Sequence, residues 1–217
     1  MPRTDYQHQL EQLCDAVLEM SDIVCQRLRR ALEAYQHTDA ERAERVISGD
    51  HEINQLYLDI ESDCIDLLAL QQPVASDLRL IASSFKIITD LERIGDLAVN
   101  LAEYAPHTDR YSDIDIERLG TEALALVEDA MQAYATGDSE ATHEIDSRDD
   151  EIDAHCEQAS RQVVRDLVAT DRGADASLEA VSRTLLTIRD LERVADHAVN
   201  IAARTLYMVE NDDALLY

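Results

Sequence analysis

Apolar residues recur along this chain every three or four positions and almost nowhere alternate. Leu10, Leu13, Val17, Met20, Val24, Leu28 and Leu32 form one such series, which predicts an amphipathic helix from about Thr4 to His37. Val46, Ile53, Leu56, Ile60, Cys64, Leu67 and Leu68 mark the buried side of a second helix. Thr38 is its expected N-cap, with Glu41 at the third helical position, and Gln71-Gln72-Pro73 ends it, since proline disfavours helical geometry in the residue before it. Gly49 is expected to weaken this helix only slightly. A third series, Leu78, Ile81, Phe85, Ile88, Leu91 and Ile94, starts near Ser76, a candidate N-cap, and stops before Pro106. The polar, aperiodic segment from Pro106 to Asp113 reads as a linker.

The second half repeats the first. Asp90-Leu91-Glu92-Arg93-Ile94-Gly95-Asp96-Leu97-Ala98-Val99-Asn100-Leu101-Ala102 returns 100 positions later as Asp190-Leu191-Glu192-Arg193-Val194-Ala195-Asp196-His197-Ala198-Val199-Asn200-Ile201-Ala202, identical at 9 of 13 positions. Upstream, Ala34-Tyr35 matches Ala133-Tyr134, and Asp50, Glu52 and Ile53 match Asp149, Glu151 and Ile152, all at an offset of 99. The one-residue change of offset falls in the turn around Pro73 and Gly173, as expected of a surface loop. Helices are therefore expected at about 114–136, 137–169 and 174–209. The predicted fold is all-α: two tandem three-helix bundles, residues 1–106 and 114–217, built from six long antiparallel helices.

Only five Gly and three Pro interrupt 217 residues, and strand-forming aromatics are scarce, which favours the all-helical reading. The formal net charge is −27 and Lys86 is the only lysine, so the surface repels nucleic acid. Such acidity serves either to attract cations or to keep a surface solvated at high salt. The acids are spread along the chain, which favours the second and points to a halophilic, archaeal source. Cys14, Cys25, Cys64 and Cys156 show no CxxC spacing, and Cys14 and Cys25 read as core thiols. No apolar run is long enough to span a bilayer and no signal peptide is evident, so the expected location is the cytoplasm.

Each copy of the repeated stretch places a Glu and an Asp four apart, on one helical face, with an Asn one turn further along. Asp50 with Asn54, and Asp149 with Asp153, have the same spacing on the preceding helices. Acids converging from two helices can bind a hard or borderline cation such as magnesium, manganese, iron or zinc. In a chain with 46 acids a single pair more often marks a solvated face, and duplication in register brings the two readings level. His197, Arg79, Arg93, Arg189 and Arg193 read as salt-bridge partners, and the small Gly95 and Ala195 as close-packing positions. A di-iron carboxylate enzyme needs Glu-x-x-His on two helices, but Glu140 to His143 has only Glu41 to Glu44 as its counterpart. With no phosphate loop or activated nucleophile either, the chain does not read as an enzyme.

The duplicated Asp-Leu-Glu-Arg stretches, with Asp50-His-Glu-Ile-Asn54 and Asp149-Asp-Glu-Ile-Asp153 upstream, closely resemble the PhoU family over about Leu10 to Met208. The resemblance implies a regulator that restrains the phosphate-specific ABC transporter and phosphate-response signalling when phosphate is plentiful. The implied partners are the transporter's ATP-binding subunit, a sensor kinase and a second copy of the chain. It also implies metal clusters held by E(D)-x-x-x-D pairs: Glu92 with Asp96, Asp149 with Asp153, Glu192 with Asp196, and Asp50 with residue 54. Here residue 54 is Asn54, so the fourth pair lacks a charge. The competing reading is a metal-free helical scaffold or adaptor for another partner.

Overall fold

The computed structural model describes residues 3–70, 73–107, 114–169 and 174–216, and these are all helix, turn and short connection. The helices are α1 (Arg3–His37), α2 (Ala40–Ser48), α3 (His51–Leu70), α4 (Ala75–Tyr104), α5 (Ile116–Thr136), α6 (Ser139–Ala169) and α7 (Ala174–Glu210). They form six rods, because α2 and α3 are two segments of the second. The apolar series become the core: Leu10, Leu13, Val17, Met20, Val24 and Leu28 of α1 are buried together with Ile81, Ile88, Leu91 and Ile94 of α4. The series fail at their ends, where Leu68 and Leu78 are exposed. Residues 108–113 of the expected linker, and Gln71, Gln72 and Gly173 of the expected turns, lie outside the described residues.

α4 begins at Ala75 after Val74, so Ser76 lies within its first turn and does not cap it, and two further corrections concern the second rod. The second rod breaks at Gly49-Asp50, where Asp50 N–H reaches back to the Ile47 carbonyl at 3.4 Å and Glu52 N–H to the Gly49 carbonyl at 3.2 Å, both one residue tighter than α-helical bonding. Its counterpart α6 runs unbroken through Arg148-Asp149. Second, Asp39 and not Thr38 caps α2, accepting the Arg42 N–H at 2.9 Å. Thr38 instead sits in the left-handed region with φ 53. The repeat explains this: Thr38-Asp39 aligns with Gly137-Asp138, where Gly137 has φ 67 and Asp138 caps α6 by accepting from Glu140 and Ala141.

α4 and α7, which carry the two copies of the motif, pack antiparallel on each other, with α1 against α4 and α5, α3 against α4, and α6 against α7 and α5. One buried cluster runs through both repeats, from Tyr6 on α1 to Ala202 on α7. Cross-repeat hydrogen bonds reinforce it, with Ser83 Oγ on the Arg204 carbonyl at 3.1 Å and Ser84 and Tyr134 hydroxyls 2.8 Å apart. Small residues set the spacing. A Cβ on Gly120 would meet Leu32 at 2.4 Å, and one on Gly95 would meet Ile53 Cδ1 at 2.9 Å, so α5 approaches α1, and α3 approaches α4, through glycine.

Candidate metal centre and its counterpart

The motif separates into two groups with different work. Asp90 and Asn100, with Asp190 and Asn200, point across the α4–α7 contact. Asn100 Nδ2 donates to Asp190 at 3.4 Å and Asn200 Nδ2 to Asp90 at 3.3 Å, the reciprocal pairing that antiparallel copies of one motif produce. Asp190 is fully buried and also accepts from Tyr104 Oη and from Arg189 Nε and Nη2, while Arg193 lies 4.0 Å away. Such saturation is what a buried carboxylate requires. His197 Nδ1 lies 2.9 Å from Asp90, so the histidine is a hydrogen-bond partner of the other repeat's motif and not of the acids beside it in sequence. The asparagines therefore do not extend the acidic pairs. They clamp the repeats, and the signal for this was the first Asp of each motif, ten residues before the Asn.

Glu92, Asp96, Glu192 and Asp196 face the preceding helices instead. In the second repeat, one carboxylate oxygen from each of Asp149 and Asp153 on α6 and Asp196 on α7 lie within 4.8 Å of one another. Asp149 Oδ1 is buried and has no hydrogen-bond partner. Burial, then the charges of Asp153 and Asp196, push the Asp149 carboxyl up to about 7. Asp153 is raised by burial and then Asp196, and Glu192 by burial and then Asp153 and Asp196. All four predicted residues of this repeat thus belong to one electrostatic unit, with Glu192 outside the tightest three. Three converging oxygens and an orphaned buried acceptor fit a hard cation.

The first repeat assembles the equivalent residues around guanidinium groups. Asp50 Oδ1 faces Arg27 Nη1 at 3.4 Å, and Asp50 Oδ2 accepts from Asn54 Nδ2 at 3.0 Å. Arg93 lies 3.6 Å from both Glu92 and Asp96. Burial, then Asp96, raises Glu92, and burial, then Asp50, raises Asp96, with Arg93 opposing both shifts. Arg27 is the decisive difference. Its side chain is only 6% exposed, and Nη2 donates at 2.6 Å to the Gly49 carbonyl at the break in the second rod, a carbonyl that also accepts the Glu52 N–H. At the offset of 99 its counterpart is Leu126, fully buried, which brings no charge toward Asp149. An arginine on α1 therefore sits at the break in one rod and offsets part of the charge of one acidic face. The aspartate spacing was legible in the sequence; this substitution was visible in the same alignment but lies a helix away from the motif.

The PhoU domain family matches residues 17–105 and 116–205. The phosphate-specific transport system accessory protein PhoU of Serratia marcescens is 32% identical over 209 residues, covering 94% of this chain and 84% of that protein. The protein of the same name from Escherichia coli K12 is 30% identical over 211 residues, covering 94% and 85%. Among solved structures, PhoU from Pseudomonas aeruginosa superposes with a TM-score of 0.89 at 30% identity, over 95% of this chain and all of that one. The phosphate transport system regulatory protein PhoU from Streptococcus pneumoniae gives 0.88 at 28% identity, over 95% and 98%. With two domain matches spanning most of its length, the chain belongs to the PhoU family and carries the family's domain twice.

Proposed function

We propose that this chain is a regulator of phosphate uptake that restrains a phosphate-specific ABC transporter, and phosphate-response signalling, when phosphate is plentiful, and that it binds metal in its second repeat. The regulatory part rests on relatives named as accessory proteins of the phosphate-specific transport system along nearly the whole chain. The metal part rests on the convergence of Asp149, Asp153 and Asp196 with a buried acceptor unfilled by protein. Those three, with Glu192 beside them, would hold the ion, and oxygen donors favour iron, manganese or magnesium over zinc. A bound cation supplies the positive charge that Arg27 and Arg93 supply in the first repeat. The chain's own contribution is to keep Asp149 and Asp153 on an unbroken α6 facing Asp196 on α7. Asp50, Asn54, Glu92 and Asp96 form the weaker candidate, since protein cations already face them.

The docking partner in this reading is the transporter's ATP-binding subunit, with a sensor kinase and a second copy of the chain as further partners. Exposed apolar residues support a docking role, because they recur at the same end of both repeats: Ile65, Leu68 and Leu78 in the first, Val164, Val168 and Leu178 in the second. No helix among the described residues is long and apolar enough to cross a membrane, so contact with a transporter falls on its soluble parts. Deleting the gene should raise phosphate uptake by cells grown in abundant phosphate. Uptake unchanged by the deletion, with no recovery of transporter components on the tagged protein, would leave the adaptor for another partner as the better reading.

A further inference from the structure

α3 turns two unlike rows of side chains to solvent. Leu58, Ile65 and Leu68 stand seven and three positions apart, so they share one stripe of the helix, and they are 54%, 54% and 42% exposed. Asp59, Asp63 and Asp66, four and three apart, form a second exposed stripe alongside, and Glu61 lies within the apolar one between Leu58 and Ile65. No lysine or arginine occurs between His51 and Leu70. Among the described residues none of these four acids has an ion-pair partner, and Asp59 accepts from Gln55 Nε2 at 2.8 Å within the same helix.

The acidity of the chain as a whole does not account for this face. α6 is the counterpart of α3, and the two keep register at an offset of 99, with Ile53 and Ile152, and Cys64 and Val163, all buried. At that offset Asp59, Asp63 and Asp66 become Gln158, Gln162 and Arg165, and Leu58 becomes Glu157, which pairs with Arg161. The same fold is therefore built in the second repeat without the acid row, and with an exposed apolar row reduced to Val164 and Val168. Apolar residues at seven-and-three spacing are the seam by which one helix packs on another. An unneutralised acid row beside such a seam favours a partner carrying lysine or arginine there, and it repels anionic lipid and acidic segments alike.

We propose that the outer face of α3 is the docking site for a basic amphipathic helix of another protein, whose apolar seam covers Leu58, Ile65 and Leu68 and whose cations meet Asp59, Asp63 and Asp66. This rests on the reading of the chain as a regulator that acts by docking, and it deepens that reading: the recognition surface belongs to the first repeat and is not shared equally by the two.

The test is fluorescence anisotropy of a labelled peptide titrated with the full chain. The probe is about 18 residues long, enough to hold a helix, with leucine at every third and fourth position and lysine and alanine elsewhere. The expected result is saturable binding of one peptide per chain, and no binding of the same peptide with glutamate in place of lysine. Leu58→Gln with Ile65→Gln should weaken it by about tenfold or more at an unchanged melting temperature, since both side chains are exposed. Asp59→Asn with Asp63→Asn and Asp66→Asn should weaken it comparably and remove most of its loss between about 0.1 M and 0.5 M salt. Val164→Gln with Val168→Gln on α6 should leave it unaltered. The proposal is overturned by no saturable binding, by equal binding of a scrambled peptide that has no apolar face, or by an equal loss in the α6 variant. It is also overturned if the chain sediments as a dimer that Leu58→Gln with Ile65→Gln dissociates, since a second copy would then cover the face. Each of these outcomes is independent of phosphate uptake after gene deletion, so the docking face can fail while the regulatory reading stands.

Discussion

At the scale of single residues, Asp149 sets the chemistry. Its carboxyl titrates near pH 7 in the folded chain because burial, then Asp153 and Asp196, oppose its charge, against about 3.9 for an unfolded aspartate. A raised acid stabilises the fold fully below the unfolded value and loses that contribution as pH rises through the folded one. Metal-free protein should therefore lose stability between about pH 4 and pH 7, and Asp149→Asn, which mimics the protonated acid, should flatten this part of the profile and be the more stable at pH 7. Urea unfolding of both proteins across this range, with chelator present, checks it. Identical pH profiles would mean that the residue is hydrated and ordinary. Metal must displace the same proton, so affinity should rise with pH through about 7. The acid pairs themselves were readable from helical spacing alone. What spacing does not give is which pair meets a cation of its own, since Arg27 and Leu126 lie on a different helix from either pair.

At the scale of helices, the informative places are where the two repeats disagree. The turn before α2 holds Thr38 at φ 53, where the second repeat has Gly137. A β-branched residue in that region is strained by about 1 kcal/mol, so Thr38→Gly should stabilise the chain by up to about that amount despite the glycine's greater entropy when unfolded. A higher midpoint in denaturant is the expected reading, and a lower one would show that the threonine is compensated locally. The capping error in the sequence reading came from treating Thr38 alone, whereas alignment with Gly137-Asp138 identifies the turn. Arg27 likewise braces the break in the second rod. Arg27→Met would leave the Gly49 carbonyl and Asp50 without their guanidinium and should cost about 3 kcal/mol. Chemical denaturation measures that loss, and a change below about 0.5 kcal/mol would show that water replaces the arginine there. The break at Gly49-Asp50 was hidden from periodicity because the apolar series passes through it: Val46 and Ile53 are both buried.

At the scale of the whole molecule, the repeats share a core and a clamp. Residues 1–106 alone would expose the face of α4 that packs on α7, and residues 114–217 alone would expose Asp190 without Asn100 and Tyr104. Neither half should unfold cooperatively by itself, while a mixture of the two should recover cooperative melting. A sharp thermal transition in either isolated half would contradict this dependence. The all-helical, duplicated plan was legible from a three-and-four residue period and an offset repeat. The mutual dependence was not, because the motif's aspartates and asparagines look alike along the sequence, and only the antiparallel crossing separates those that join the repeats from those that face outward.

In the proposed reading, the acidic face of the second repeat binds metal, whereas arginine already offsets part of the charge of the first. The direct measurement is elemental analysis of the full chain purified without chelator, alongside Asp149→Asn with Asp196→Asn and, separately, Asp50→Asn with Asp96→Asn. Bound metal should be lost from the second-repeat double variant and retained in the first-repeat one. Metal lost equally from both, or lost only from the first-repeat variant, would contradict it.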